Sequence, residues 1–278
     1  MLNWISGGAL DISAYFSSVF TLFALLIWFL FARKDLKIKT NWKILIEIIL
    51  ATVIGAALSP FVILLLSGTL VNFFASFNTT IKQIDSFSSF MKSLRNFFRG
   101  FSLTGGFLVL SIAILFVINP AKKLAFSLLY PFPLITAVLR LNCFSQGCCF
   151  GKLYKGIFAV TYPPASNASK YHYVTYGRPS RYIESLPVHP TQLYIVFAMI
   201  LLFFIAFLMN KFKVKKNIIL GTIIAGYGLS NFIIEFLRVE KLLFDFVTIG
   251  QLMETALFCI GIYTIFGIKE EEISVSKN

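Results

Sequence analysis

Runs of about 20 residues that are almost free of charge recur along this chain, and most are closed by a short basic segment. A bilayer core offers no water to backbone amides, so such runs can cross it only as helices that pair their own N–H and C=O groups. The runs near residues 12–32, 44–66, 101–118, 124–144, 189–209, 218–237 and 247–268 predict seven spans in one membrane domain. A mean hydropathy of +0.82 and a hydrophobic share of 58% lie outside the range of soluble globular domains. Lysine and arginine outnumber aspartate and glutamate by 25 to 12. These cations punctuate the apolar runs, which excludes a nucleic-acid surface and fits loops lying beside anionic membrane lipid.

Short basic loops stay in the cytoplasm. The segments Arg33–Lys39, Asn119–Lys123 and Lys211–Lys216 are all short and basic. Seven spans with the N-terminus outside and the C-terminus cytoplasmic satisfy all of them, which predicts a multi-pass protein of a plasma membrane. Met1–Leu10 has no basic residue and no cleavage pattern, so the first span is expected to be permanent. Between spans 2 and 3, Phe87, Phe90, Met91, Leu94 and Phe98 recur at helical spacing among Lys82, Lys92, Arg95 and Arg99. That pattern predicts an amphipathic helix lying along the outer interface. Residues 145–188 are rich in Tyr, Pro, Ser, Asn and Gly and predict an extracytoplasmic cap of loops with a few short strands. No internal repeat is visible, which weighs against a transporter built from inverted halves.

The chemistry concentrates at Arg140–Lys152, where the fourth span ends. This stretch holds Arg140, Asn142, Gln146, the thiols of Cys143, Cys148 and Cys149, and the glycines Gly147 and Gly151. A guanidinium at the end of a membrane helix either snorkels to the interface or faces a protein cavity and a partner anion. The glycines permit a tight turn around a head group. The cysteines read as small packing residues, as a Cys143 disulfide with Cys148 or Cys149, or as a metal site or acyl-accepting thiol. Cys-x4-Cys-Cys is not a familiar zinc spacing, and His172 and His189 are remote in sequence.

Three further polar clusters share the outer side under this topology: Thr104-Gly105-Gly106, His189–Tyr194 and Glu235–Arg238. Two arginines and a histidine at one leaflet level suit a phosphate, because arginine offers a planar fork of donors. In this order and at these gaps, the four clusters resemble the prolipoprotein diacylglyceryl transferase family. Arg140–Lys152 is similar to its signature, and His189-Pro190-Thr191-Gln192-Leu193-Tyr194 to its His-Pro-Ser/Thr-Gln-Leu-Tyr segment. Gly226–Arg238 is similar to its penultimate span and Thr248–Leu252 to the start of its last. The likeness runs from about residue 100 to the C-terminus; before that only Tyr15 and Arg33-Lys34 fit.

The resemblance implies transfer of a diacylglyceryl group from phosphatidylglycerol to the lipobox cysteine thiol of an exported bacterial prolipoprotein. A thioether forms and glycerol phosphate leaves, with no metal or nucleotide cofactor. It implies Arg140 and Arg238 as the head-group and leaving-group cations. Gly151, Cys143, Gln146, Tyr15, Gly105, Gly106, Tyr194 and Glu235 become substrate-binding candidates. The acceptor thiol, with an ordinary pKa of about 8.5, needs help to ionise. Here the chain departs from the family, which has a His where this sequence has Thr104, and a hydroxyl cannot act as a base near neutral pH. Cys143 replaces the family's Asn. His189 is the obvious substitute base, but it reads first as a capping or packing residue beside Pro190, because the family has this His as well as the missing one. Glu235, three residues before Arg238, reads equally as its ion-pair partner, and His172 reads as a solvated loop residue. Two alternatives stay open: a divergent glycerolipid transferase with another acceptor, and a catalytically silent membrane protein that binds lipid or lipoprotein.

Overall fold

The computed structural model describes residues 103–112, 115, 125–239 and 247–268. Tyr15, the expected spans at 12–32 and 44–66, and the amphipathic segment 67–100 lie outside the described residues.

Among the described residues seven helices follow one another: α1 (Leu103–Ile112), α2 (Ala125–Leu129), α3 (Phe132–Ser145), α4 (Asn167–Tyr176), α5 (Thr191–Lys211), α6 (Lys216–Glu235) and α7 (Ile249–Gly267). Among the described residues there is no strand, and α5, α6 and α7 are each long and apolar enough to cross a membrane. The chain is an all-α membrane protein. Proline sets the break between α2 and α3: Pro131 flanks α3 on its N-terminal side and Pro133 lies in its first turn, where a missing N–H costs no helical bond.

Helix α5 buries Ile195, Val196, Met199, Leu202 and Ala206, and turns Phe197, Ile200, Leu201 and Phe204 outward. A water-soluble helix could not sustain that outer face, whereas lipid solvates it without penalty. Helices α6 and α7 approach until backbone meets backbone. A Cβ on Gly261 would lie 2.3 Å from Ala225 N, and one on Gly228 would lie 2.5 Å from Glu254 O. Small residues at this seam are what close packing in a membrane requires. Inside, Phe107 of α1 stacks on Phe132 of α3 with centroids 3.7 Å apart, and Tyr227 of α6 meets both rings edge-on.

The expected cap of loops and short strands is corrected in part. It carries the helix α4, and among the described residues its ladder contacts are isolated antiparallel bridges at Gly151–Arg238, Leu153–Val188 and Val160–Val188. Ser166 caps α4 by accepting from Ser169 N, and Gly177 leaves the helix with φ +59°. A second small core of Phe150, Tyr162, Ala168 and Val188 holds this cap together.

Candidate functional site

The turn that follows α3 is built by backbone conformation and then clamped from α5. Gly147 has φ +61° and Cys149, a non-glycine residue, has φ +57°. Left-handed backbone at a cysteine is uncommon and persists only where the surroundings enforce it. Enforcement comes from the start of α5: Thr191 Oγ1 donates to Cys149 O at 2.6 Å, and Gln192 Nε2 donates to Cys148 O. Cys148 N returns to Cys143 O at 3.1 Å. These bonds gather the three sulfurs to within 4.8 Å of one another. All three are free thiols, in place of the disulfide that the sequence left open.

Just beyond, Gly151-Lys152 is threaded between two other parts of the chain. Gly151 N donates to His189 O at 2.9 Å, His189 N to Lys152 O at 3.1 Å, and Lys152 N to Leu237 O at 2.7 Å. Only glycine fits at this crossing: a Cβ on Gly151 would lie 2.6 Å from His189 Cβ and 2.7 Å from Leu237 O. The crossing fixes the end of α3, the entry to α5 and the exit from α6 relative to one another.

Arg140 lies on α3, which leads into this turn, and Arg238 directly follows Leu237 at the crossing. Arg140 is buried on α3 at 7% exposure, and its Nε has no hydrogen-bond partner among the described residues. The Tyr227 hydroxyl lies between Arg140 and Thr104, with Thr104 Oγ1 at 3.4 Å. Arg238 is held by Glu235, whose Oε2 accepts from its Nη1 at 2.7 Å, while Glu235 Oε1 accepts from Thr248 Oγ1 at 3.2 Å. Both guanidiniums lie near enough to the Cys149 thiol for their charge to favour its anion. Cys149 is held well below the ordinary thiol value, first by hydrogen bonds with Cys143 and Cys148 and then by the fields of Arg140 and Arg238. Cys148 is pushed above that value by the hydrogen bonds it makes to its two neighbours and by burial.

The structure therefore brings together Arg140, Arg238, Cys143, Gly151, Glu235 and, through Tyr227, Thr104. Glu235 makes the ion pair that its spacing from Arg238 suggested. His189 stacks on Tyr154 with centroids 3.9 Å apart, and its Nδ1 lies 3.2 Å from Tyr194 Oη. It reaches Gly151 through backbone and caps no helix. Gln146 turns back along α3, donating to Asn142 Oδ1 at 3.0 Å. Gly105 and Gly106 lie within the first turn of α1. His172 is corrected outright. It is 1% exposed inside α4, packed against Phe150, Tyr171 and Tyr176, and its Nδ1 accepts from Leu186 N at 3.0 Å.

Sequence reasoning gave little weight to Tyr227 and none to Tyr154, both of which touch candidate groups. A tyrosine in an apolar run gives no local sign of its partner, because the partner lies 123 residues away in the case of Thr104. Thr191 and Gln192 were readable as span-opening polar residues, but their target carbonyls were not.

A protein-family model for prolipoprotein diacylglyceryl transferase matches residues 4–267 of this chain. Similar proteins include the phosphatidylglycerol–prolipoprotein diacylglyceryl transferase of Pseudomonas entomophila (strain L48), 29% identical over 178 residues that make up 60% of each chain. The protein of the same name from Brucella anthropi is 34% identical over 91 residues, 29% of this chain and 32% of its own. That from Clostridium botulinum (strain Hall) is 33% identical over 92 residues, 33% of this chain and 36% of its own. The chain thus spans 60% of the length of the Pseudomonas relative and about a third of the other two. With the family model matched along nearly its whole length, this chain belongs to the prolipoprotein diacylglyceryl transferase family.

Proposed function

We propose that this protein transfers the diacylglyceryl group of phosphatidylglycerol to the lipobox cysteine thiol of exported prolipoproteins at the outer face of a bacterial plasma membrane. The observation that carries the reading is the backbone crossing at Gly151-Lys152, which ties the turn after α3, the helix that bears Arg140, to Leu237 and Arg238 just beyond α6, so that both cations lie near the Cys149 thiol. Two cations converging on one anion-favouring point suit a phosphodiester head group. In the reaction the acceptor sulfur attacks the glyceryl carbon, the C–O bond breaks, and its electron pair leaves on the phosphate oxygen. The departing phosphate gains negative charge as the bond breaks, and fixed guanidiniums stabilise that change without reorganising. Glu235 and Thr248 position Arg238, and Tyr227 lies between Arg140 and Thr104. Seven spans, N-terminus outside, place the cap and these groups where a signal peptide and outer-leaflet lipid meet, with His189, Tyr194, Gly105, Gly106 and Tyr15 as further substrate contacts.

Thr104 favours a second reading, in which the same lipid pocket serves a different acceptor, because a threonine cannot take the proton from a thiol near neutral pH. The test is complementation of a strain depleted of its own transferase, with preprotein lipidation followed by mass spectrometry. Wild-type protein should restore lipidation, and Arg140→Ala and Arg238→Ala should each abolish it. Failure of inserted wild-type protein to lipidate the preprotein overturns the first reading, and full activity in both variants places the phosphate site elsewhere.

A further inference from the structure

We propose that Cys143, Cys148 and Cys149 form a binding site for one zinc-type ion, with three thiolates as ligands and a fourth position open to the acceptor thiol. The ion site stands on the cluster's own geometry. The use of its fourth position rests on the transferase reading above.

A zinc–thiolate bond is about 2.3 Å, so three sulfurs on one tetrahedral ion stand about 3.8 Å apart. The sulfurs here are already within 4.8 Å of one another, from residues that the sequence separates by a helix end and a turn. The arrangement is held in place. Thr191 and Gln192 fix the carbonyls of Cys149 and Cys148, and Cys149 keeps a left-handed backbone at φ +57°. All three cysteines are half-buried rather than sealed in the core.

Charge argues the same way. Three thiolates and one divalent ion carry a net charge of −1, which Arg140 and Arg238 nearby would favour. Three protein ligands with one open position is the pattern of catalytic rather than structural zinc. The site would also supply what Thr104 does not. A thiol that coordinates the ion gives up its proton to water. Its sulfur would then attack the glyceryl carbon to form the C–S bond, and the C–O electron pair would leave on the phosphate oxygen.

The test uses the full chain in detergent, reduced, stripped with a chelator, and titrated with Co2+ as the spectroscopic probe. One equivalent should give intense visible bands of tetrahedral cobalt and a near-ultraviolet thiolate-to-cobalt band, both displaced by Zn2+. Cys148→Ser and Cys149→Ser should lose these bands and Cys259→Ser should keep them. Should the serine variants misfold, the wild-type protein still decides. Zn2+ should protect Cys143, Cys148 and Cys149 from maleimide, read by mass spectrometry. A lipobox peptide with cysteine, but not its serine counterpart, should shift the cobalt bands. Absence of thiolate–cobalt bands, bands that survive in Cys149→Ser, or a disulfide within the cluster in protein isolated without oxidant each overturn the site. A spectrum indifferent to the cysteine peptide overturns the role of the fourth position. Cobalt binding is read without lipid or preprotein, so its failure leaves the transferase reading standing. Failed lipidation by an ion-loaded protein sinks that reading and leaves the ion site.

Discussion

Replacing Gly151 by alanine is the most economical way to disturb the site without touching a charged or titratable group. The new methyl would meet His189 Cβ at 2.6 Å, Leu237 O at 2.7 Å and His189 O at 2.9 Å. Ordinary contact begins near 3.4 Å, so the Leu237 carbonyl must withdraw by about 0.7 Å and the His189 backbone by a similar distance. Neither neighbour is a flexible side-chain tip, since the contacts are with the rigid Cβ and the backbone oxygens of residues tied to Gly151-Lys152 by the three hydrogen bonds of the crossing. Forcing extra volume into a packed place costs about 1–3 kcal/mol. The larger effect falls on geometry, because Arg238 follows Leu237 directly. A misplacement approaching 1 Å at a reacting group can cost about 100-fold in rate. Gly151→Ala should therefore lower kcat/KM for lipidation of a lipobox peptide by one to two orders of magnitude, while the protein still inserts and melts only modestly earlier in detergent. Gly147→Ala is the comparison. Its Cβ would press on side-chain atoms of Tyr162 and Ser166 at 3.0 and 3.1 Å, and its φ of +61° disfavours alanine, but it adjoins neither arginine. It should loosen the cap more than it slows turnover. Wild-type kcat/KM and melting for Gly151→Ala would refute the claim that this crossing sets the position of Arg238.

Thr248→Ala removes the N-cap of α7, half of its capping box with Gln251, and the bond to Glu235. A loss of about 1 kcal/mol is expected, measured by thermal unfolding in detergent, with Thr248→Ser restoring most of it. The cap should also weaken in mild acid. Burial and the nearby Arg178 hold His172 below its ordinary value of 6.5, so the unfolded cap binds a proton that the folded cap refuses. Stability is then complete above that value, declines as pH falls through it, and levels once the folded value is passed. Limited proteolysis within residues 145–188 should accelerate on acidification, and His172→Gln should flatten the response.

Much of this was written locally in the chain, and what was not has a physical reason. The helices α5, α6 and α7 announce themselves because lipid demands long uninterrupted apolar runs. Arg140 and Arg238 stand out because a cation at a span's end needs a purpose. The Glu235–Arg238 pair follows from three-residue spacing alone. Helix α4 was missed although Ser166 and Gly177 bracket it, because its ten residues, including three tyrosines and a histidine, carry no apolar stripe. His172 was misjudged for the same reason: a polar residue in a tyrosine-rich loop reads as wet until Phe150 and Leu186 close over it. The gathering of the three sulfurs depends on Thr191 and Gln192, more than 40 residues away, and no local pattern could give it.

The knot of backbone at Gly151 also bears on how the protein is made. Its three segments come from residues 151–152, 189 and 237–238, so the last of them leaves the ribosome long after the first. A nascent chain that has delivered Arg140 and the cysteines still lacks the second cation and the segment that pins it. Until that late segment docks, Arg140 and the thiols stand without Arg238, and membrane assembly itself decides when the two cations meet.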